Sequence, residues 1–111
     1  MPFDFGDLVL VPFPFTNQAA SKQRHAVVAR SAPYNAAKPD VILMAVISQS
    51  RPAHVLGEVW LAGWNAAGLL KPSAVKPVFA ALEQRLVIRM LGALTLDDQG
   101  ALRRATGQII G

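Results

Sequence analysis

Cysteine is absent from the 111 residues, which excludes disulfides, thiolate metal ligands and cysteine nucleophiles together. Histidine occurs only at His25 and His54, far apart and without a His-x-x-His or Glu-x-x-His pattern, so no local metal-binding motif exists. The phosphate-cradling patterns Gly-x-x-x-x-Gly-Lys and Gly-x-Gly-x-x-Gly are missing because the glycines are scattered singly, and nucleotide cofactors have no visible site. Gly-x-Ser-x-Gly does not occur either, which removes support for an ordinary serine hydrolase. Acids are scarce, and Asp4, Asp7, Asp97 and Asp98 read as turn or cap residues, so no carboxylate pair is set for glycoside hydrolysis. The expectation is a protein that uses neither metal nor cofactor.

Long hydrophobic runs are lacking as well. The longest, Leu8 to Phe15 and Val41 to Ile47, fall short of the roughly 18 residues of a membrane span and read as core strands. The first residues, Met1 to Asp7, carry two acids and no basic region, unlike a secretory signal, so a cytoplasmic location without membrane attachment is expected. With 52% hydrophobic and 16% charged residues, the composition is that of a folded chain rather than a disordered one. Its length fits a single domain over residues 1–111.

What the chain does have is an uneven basic excess. Lys and Arg total 11 against 7 Asp and Glu, a net charge of +4. Between Asp7 and Glu58 the sole acid is Asp40, against Lys22, Arg24, Arg30, Lys38 and Arg51. A polyanion is the natural partner for such a surface.

The order of elements follows from composition and period. Leu8 to Val11 is β-favouring, and Pro12 to Phe15 continues it extended. Thr16 to Gln23 reads as an exposed loop, His25 to Arg30 as a strand, and Ser31 to Asp40, with Pro33, Asn35 and Pro39, as a second loop. Val41 to Ile47 suits a strand buried on both faces. Glu58 to Ala62 is a short strand, Ser73 to Phe79 an edge strand because it contains Pro77, and Val87 to Leu91 the last strand. Thr95 caps a terminal helix whose dipole favours Asp97 and Asp98, with Leu102, Ala105 and Ile109 at helical spacing. Several short strands followed by one helix describe a mainly β, curled barrel with a helix packed on it.

Lys22-Gln23-Arg24-His25 places two permanent donors and a titratable ring where a loop meets a strand. Arg grips phosphate through paired hydrogen bonds, and its charge stabilises a dianionic phosphorane; the plain alternative is a solvated turn. Ser48-Gln49 leaves a wholly apolar strand, either to aim a hydroxyl at a phosphate oxygen or simply to end the strand. His25 is either a proton carrier near neutral pH or a structural histidine. Trp60, Trp64, Phe13 and Phe15 are able to stack on unpaired bases; Phe13 suits the core, and Trp64 stays open beside Gly63 and Asn65.

These residues resemble the MazF/PemK family, the growth-inhibiting ribonuclease toxins of bacterial type II toxin-antitoxin pairs. The resemblance runs from Gly6-Asp7-Leu8-Val9-Leu10-Val11-Pro12-Phe13-Pro14-Phe15-Thr16 through Ser21-Lys22-Gln23-Arg24 and Ile47-Ser48-Gln49. It continues through Gly68-Leu69-Leu70-Lys71-Pro72-Ser73 and Leu91-Gly92-Ala93-Leu94 to the final helix. It implies a small SH3-like curled β-barrel with a C-terminal α-helix, shared by MazF and CcdB toxins, that forms a homodimer and cuts single-stranded RNA (mRNA) at short sequences without metal. Arg24 and Ser48 match the family's active-site arginine and its threonine or serine. The implied reaction is attack of a ribose 2′-hydroxyl on the adjacent phosphate, leaving a cyclic phosphate and a free 5′-hydroxyl.

The catalytic candidates are Arg24 and Ser48, which the resemblance implies, and His25, which departs from it and either adds a proton carrier or loosens Arg24; RNA binding is expected of Thr16, Asn17, Lys22, Gln49 and Arg51, and sequence selection of the loops Thr16 to Gln23 and Arg51 to Gly57. His25 stands where the family usually has proline, and Ser48 keeps the hydroxyl of the commoner threonine without its χ1 restraint. The expected partner is an acidic antitoxin whose disordered tail lies along the basic groove. Two other classes compete: a gyrase-binding toxin of the CcdB type, disfavoured because the chain ends Gln108-Ile109-Ile110-Gly111 without a tryptophan, and an inert SH3-like binding module.

Overall fold

A computed structural model describes residues 3–12, 23–53 and 55–110. Among the described residues six strands form one antiparallel sheet: β1 (Asp7–Pro12), β2 (Gln23–Val28), β3 (Asp40–Ser48), β4 (Val59–Trp60), β5 (Ser73–Glu83) and β6 (Arg89–Ala93). Their order across the sheet is β4-β5-β3-β2-β1-β6. Helices α1 (Ala32–Ala37) and α2 (Trp64–Ala67) are short, and α3 (Leu96–Ile110) closes the chain. The architecture is a mainly β, curled half-barrel with a C-terminal helix. No helix among the described residues is long and apolar enough to cross a membrane.

Strand alternation divides the apolar residues between two faces. Leu8, Val27 and Met44 are register partners across β1, β2 and β3, and they join Val46, Val59, Leu61, Val75, Leu94 and Leu102 in the larger core. Their neighbours Val9, Val11, Ala26, Val28, Val41 and Leu43 turn to the opposite face and form a second cluster. The expectation that Val41 to Ile47 is buried on both faces therefore holds for most of β3. At its far end Ile47 and Ser48 emerge exposed.

Three sequence expectations are corrected. Ser31 to Asp40 is not a loop throughout: residues 32–37 are helical, because Pro33 falls in the first turn, where its missing amide costs nothing. Asn35 is buried there, its side chain donating to the Phe3 and Arg30 carbonyls and accepting from Arg30 Nε. Secondly, β5 is not an edge strand, since β3 and β4 flank it. Pro77 is accommodated because β4 reaches only Ala74 and Val75, and because the β3–β5 register shifts between Met44 and Val46, opposite residues 76–78. Thirdly, Trp64, left undecided in an apparent loop, lies in α2 and packs partly buried against the larger core. Phe13 and Phe15 lie outside the described residues.

The terminal helix behaves as its capping pattern suggests. Thr95 Oγ1 accepts from the Asp98 amide at 3.3 Å, and Leu102 and Ala105 are buried. Asp98 adds a tie the spacing does not reveal: its carboxylate accepts from the Gly63 amide at 2.8 Å, fastening α3 to the turn before α2.

Candidate functional site

The site arises where neighbouring strands part. β2 and β3 pair from Val28↔Leu43 to Ala26↔Ala45 and no further, so Gln23 to His25 and Val46 to Ser48 diverge. β1 holds the diverging end of β2, with Val11↔Arg24 and Leu10↔His25. β5 holds that of β3, with Ile47↔Ala74 and Ser48↔Ser73. Between them opens a cavity of about 610 Å³ lined by Arg24, His25, Ile47, Ser48 and Lys76 among others. Residues more than twenty positions apart in sequence thus share one wall system, and each sits on a strand rather than a loop.

A smaller cavity of about 220 Å³ adjoins the first, sharing His25, Val46, Ile47 and Ser48 and adding Leu69, Leu70, Lys71 and Ser73. The Ser48 and His25 side thus forms a common boundary. Burial lowers the pKa of His25 from its ordinary value, because desolvation penalises the imidazolium. The ring is therefore neutral near pH 7 and able to accept a proton.

Of the remaining residues singled out in the sequence, Gln49 is turned to another task. Its amide nitrogen donates to Glu58 Oε1 at 2.6 Å, and its amide oxygen accepts from Lys76 Nζ at 3.1 Å. Arg51 is exposed and lines neither cavity. Thr16, Asn17, Lys22 and His54 lie outside the described residues.

Lys76 and Glu58 are residues at the cavity that sequence reasoning missed. Lys76 lies in the shifted stretch of β5, enters the larger cavity and pairs with the Glu58 carboxylate. Donation from Lys76 holds the Glu58 pKa below its ordinary value, against the opposing effect of burial. The available signal was Glu58 itself, the sole acid between Asp40 and Glu83: a solitary carboxylate in an apolar, basic stretch needs a cation.

The opening thus gathers the Arg24 guanidinium, the Lys76 ammonium paired with Glu58, the Ser48 hydroxyl and a neutral imidazole, groups of the kind that can hold a phosphodiester. Among the described residues no group of three or more His, Asp or Glu side chains is placed to hold a metal ion.

Fold and site together define a small mainly β protein with a cationic cleft at a strand divergence. The family model of PemK-like, MazF-like toxins of type II toxin-antitoxin systems matches residues 4–110, and the chain belongs to that family. Among solved structures, the chain is similar to the MazE-MazF structure from Deinococcus radiodurans at 22% identity and TM-score 0.74, covering 100% of this chain and 97% of that one. It is similar to an endoribonuclease in complex with its cognate antitoxin from Mycobacterial species at 12% identity and TM-score 0.76, covering 99% and 94%. The Mycobacterium tuberculosis toxin MazF-mt6 matches at 16% identity and TM-score 0.73, covering 94% and 95%. These likenesses establish the shared fold. No curated protein sequence matches the chain.

Proposed function

We propose that this toxin is a sequence-specific endoribonuclease that cuts single-stranded RNA without a metal ion. The observation that carries the reading is the convergence of Arg24, His25 and Ser48, from two separate strands, on one cavity. RNA supplies its own nucleophile, so the protein need only orient the chain, neutralise charge and move protons.

In this reading a ribose 2′-oxygen bonds to the adjacent phosphorus as the P–O5′ bond breaks. Neutral His25 accepts the 2′-hydroxyl proton, Arg24 neutralises the charge gathering on the nonbridging oxygens, and the Ser48 hydroxyl donates to one of them. Lys76 lines the same wall, but its ammonium is paired with Glu58, so Arg24 carries the charge stabilisation. The departing O5′ takes a proton from solvent as His25 later returns its own to water, and the products are a 2′,3′-cyclic phosphate and a free 5′-hydroxyl.

The proposed partner is an antitoxin with an acidic segment that occupies the same cationic cleft. The structural relatives include a MazE-MazF structure and an endoribonuclease with its cognate antitoxin. Salt should weaken such a complex. A homodimer and a cytoplasmic location, organised as one domain over residues 1–111, complete the proposal. The test is incubation of purified protein with single-stranded RNA in excess EDTA, followed by mapping of the fragment ends. Cyclic-phosphate and 5′-hydroxyl termini support the reading, and intact RNA alongside growth inhibition overturns it.

A further inference from the structure

The charge of Lys76 at the larger cavity is answered from inside the fold. β4 pairs with β5 through Val59↔Val75 and Trp60↔Ala74, and one further step of that antiparallel register sets Glu58 opposite Lys76. On its other side Lys76 is released from the β3 ladder, because the β3–β5 register shifts between Met44 and Val46. Its partly exposed side chain lines the cavity, whereas the Glu58 side chain is buried and lines neither cavity.

Gln49 braces the pair from the end of β3. Its amide nitrogen donates to Glu58 Oε1 at 2.6 Å, its amide oxygen accepts from Lys76 Nζ at 3.1 Å, and its backbone amide is anchored on the Pro72 carbonyl at 2.9 Å. Two of the three ammonium protons of Lys76 are thus engaged, by Glu58 and by Gln49. An apolar pair would fill the same space without desolvating a carboxylate. What the ion pair adds is control over a cation in the cavity wall: a buried anion in contact with the ammonium cancels most of the field that a polyanion in the cavity would feel.

We propose that Glu58 is a positioning residue that restrains polyanion binding: by engaging Lys76 it withholds a second cation from the single-stranded RNA and leaves Arg24 to grip the chain. The consequence lies in turnover. A cation that grips substrate and product alike lowers KM without raising kcat and slows the departure of cut RNA. The inference rests on the ribonuclease reading for the identity of its ligand and adds to it a residue that touches no substrate.

The test compares wild type with Glu58→Gln, which keeps the shape of the side chain, and with Glu58→Gln/Lys76→Met, which leaves no unpaired buried charge. The first measurement is binding of an uncleavable 2′-O-methyl oligonucleotide over a range of salt. Freeing one cation for one phosphate should steepen the slope of log K against log salt by about 0.7, which amounts to about a fivefold gain in affinity at 0.1 M salt. The double variant, neutral again at this point, should return to the wild-type slope and affinity. The second measurement is steady-state cleavage: in Glu58→Gln the KM should fall about fivefold with kcat no higher than wild type, whereas a merely structural loss would lower kcat and leave the salt slope alone. An unchanged slope and affinity in Glu58→Gln overturn the proposal, and so does a gain that survives Lys76→Met, because it would not run through Lys76. A wild type that cuts no RNA while the binding series behaves as stated sinks the ribonuclease reading and leaves the restraint standing; RNA cut with equal salt slopes sinks the restraint alone.

Discussion

Glu58 and Lys76 form an ion pair of unequal burial: the glutamate side chain is 2% exposed and the lysine side chain 25%. Removing either partner therefore has different consequences. Lys76→Met strands a buried carboxylate with Gln49 as its remaining hydrogen-bond donor, whereas Glu58→Gln leaves a cation that still reaches Gln49 and water. Lys76→Met should cost about 2–3 kcal/mol at neutral pH and Glu58→Gln about 1 kcal/mol, as measured by denaturant unfolding.

The same pair sets a pH dependence. Because the folded pKa of Glu58 lies below its ordinary value of 4.5, its stabilisation is complete above that value and is lost as pH falls through the lowered one. The gap in stability between wild type and Lys76→Met should therefore be widest at neutral pH and should narrow in acid. A gap that stays constant down to pH 3 would show that Glu58 does not carry it.

His25 gives a kinetic counterpart. Burial lowers its pKa from 6.5, so the neutral, proton-accepting form prevails above that value and is lost as pH falls through the lowered one. RNA-cleaving kcat/KM should rise with pH along a limb centred below 6.5 and then level off. In His25→Gln the limb should vanish along with roughly 10²–10⁴-fold of the rate. Persistence of the limb in the variant would assign the proton transfer to another group.

Much of this arrangement is legible in the sequence, and the exceptions share a cause. β1, β2 and β3 are marked by continuous apolar runs, and Arg24 and Ser48 stand out because polarity returns abruptly beside those runs. The helix at 32–37 is hidden because Pro33 and Asn35 read as breakers, although one occupies a first helical turn and the other's side chain is satisfied by tertiary partners. Pro77 misleads in the opposite direction: the register shift that tolerates it is a property of two strands together. Lys76 and Glu58 are eighteen positions apart in sequence, and only the pairing of β4 with β5 sets their segments side by side.

Gly92 tests the packing beneath the smaller cavity. A Cβ there would lie 2.1 Å from the Ala67 carbonyl oxygen, a backbone atom at the end of α2 that has no rotamer with which to yield. Gly92→Ala must push β6 away from α2, and with it the turn at Gly68 that starts the Leu70–Lys71 segment. A loss of about 2–3 kcal/mol is expected, or roughly 10–20 °C in Tm for a chain of this size. The neighbouring Ala93→Gly, at an exposed position in β6, should cost no more than about 1 kcal/mol.

Ser48 and Arg24 can be separated by what each change leaves behind. Arg24→Ala removes the charge and the guanidinium's fork of N–H donors and should lower kcat about 10²–10³-fold, while Arg24→Lys keeps the charge, loses the fork and should recover part of that loss. Ser48→Ala removes one neutral donor and should cost less. Ser48→Thr should do the reverse of damage. The residue is exposed at the end of β3, so an added methyl meets no buried neighbour, and β-branching suits a strand. A serine hydroxyl samples three staggered positions, and threonine narrows that choice, so the gain in kcat is bounded at about threefold. The informative measurement is single-turnover cleavage of one short RNA by all four variants. A Ser48→Ala rate equal to wild type would remove the hydroxyl from the mechanism, and a Ser48→Thr rate far below wild type would show that the hydroxyl acts from a rotamer that threonine does not favour.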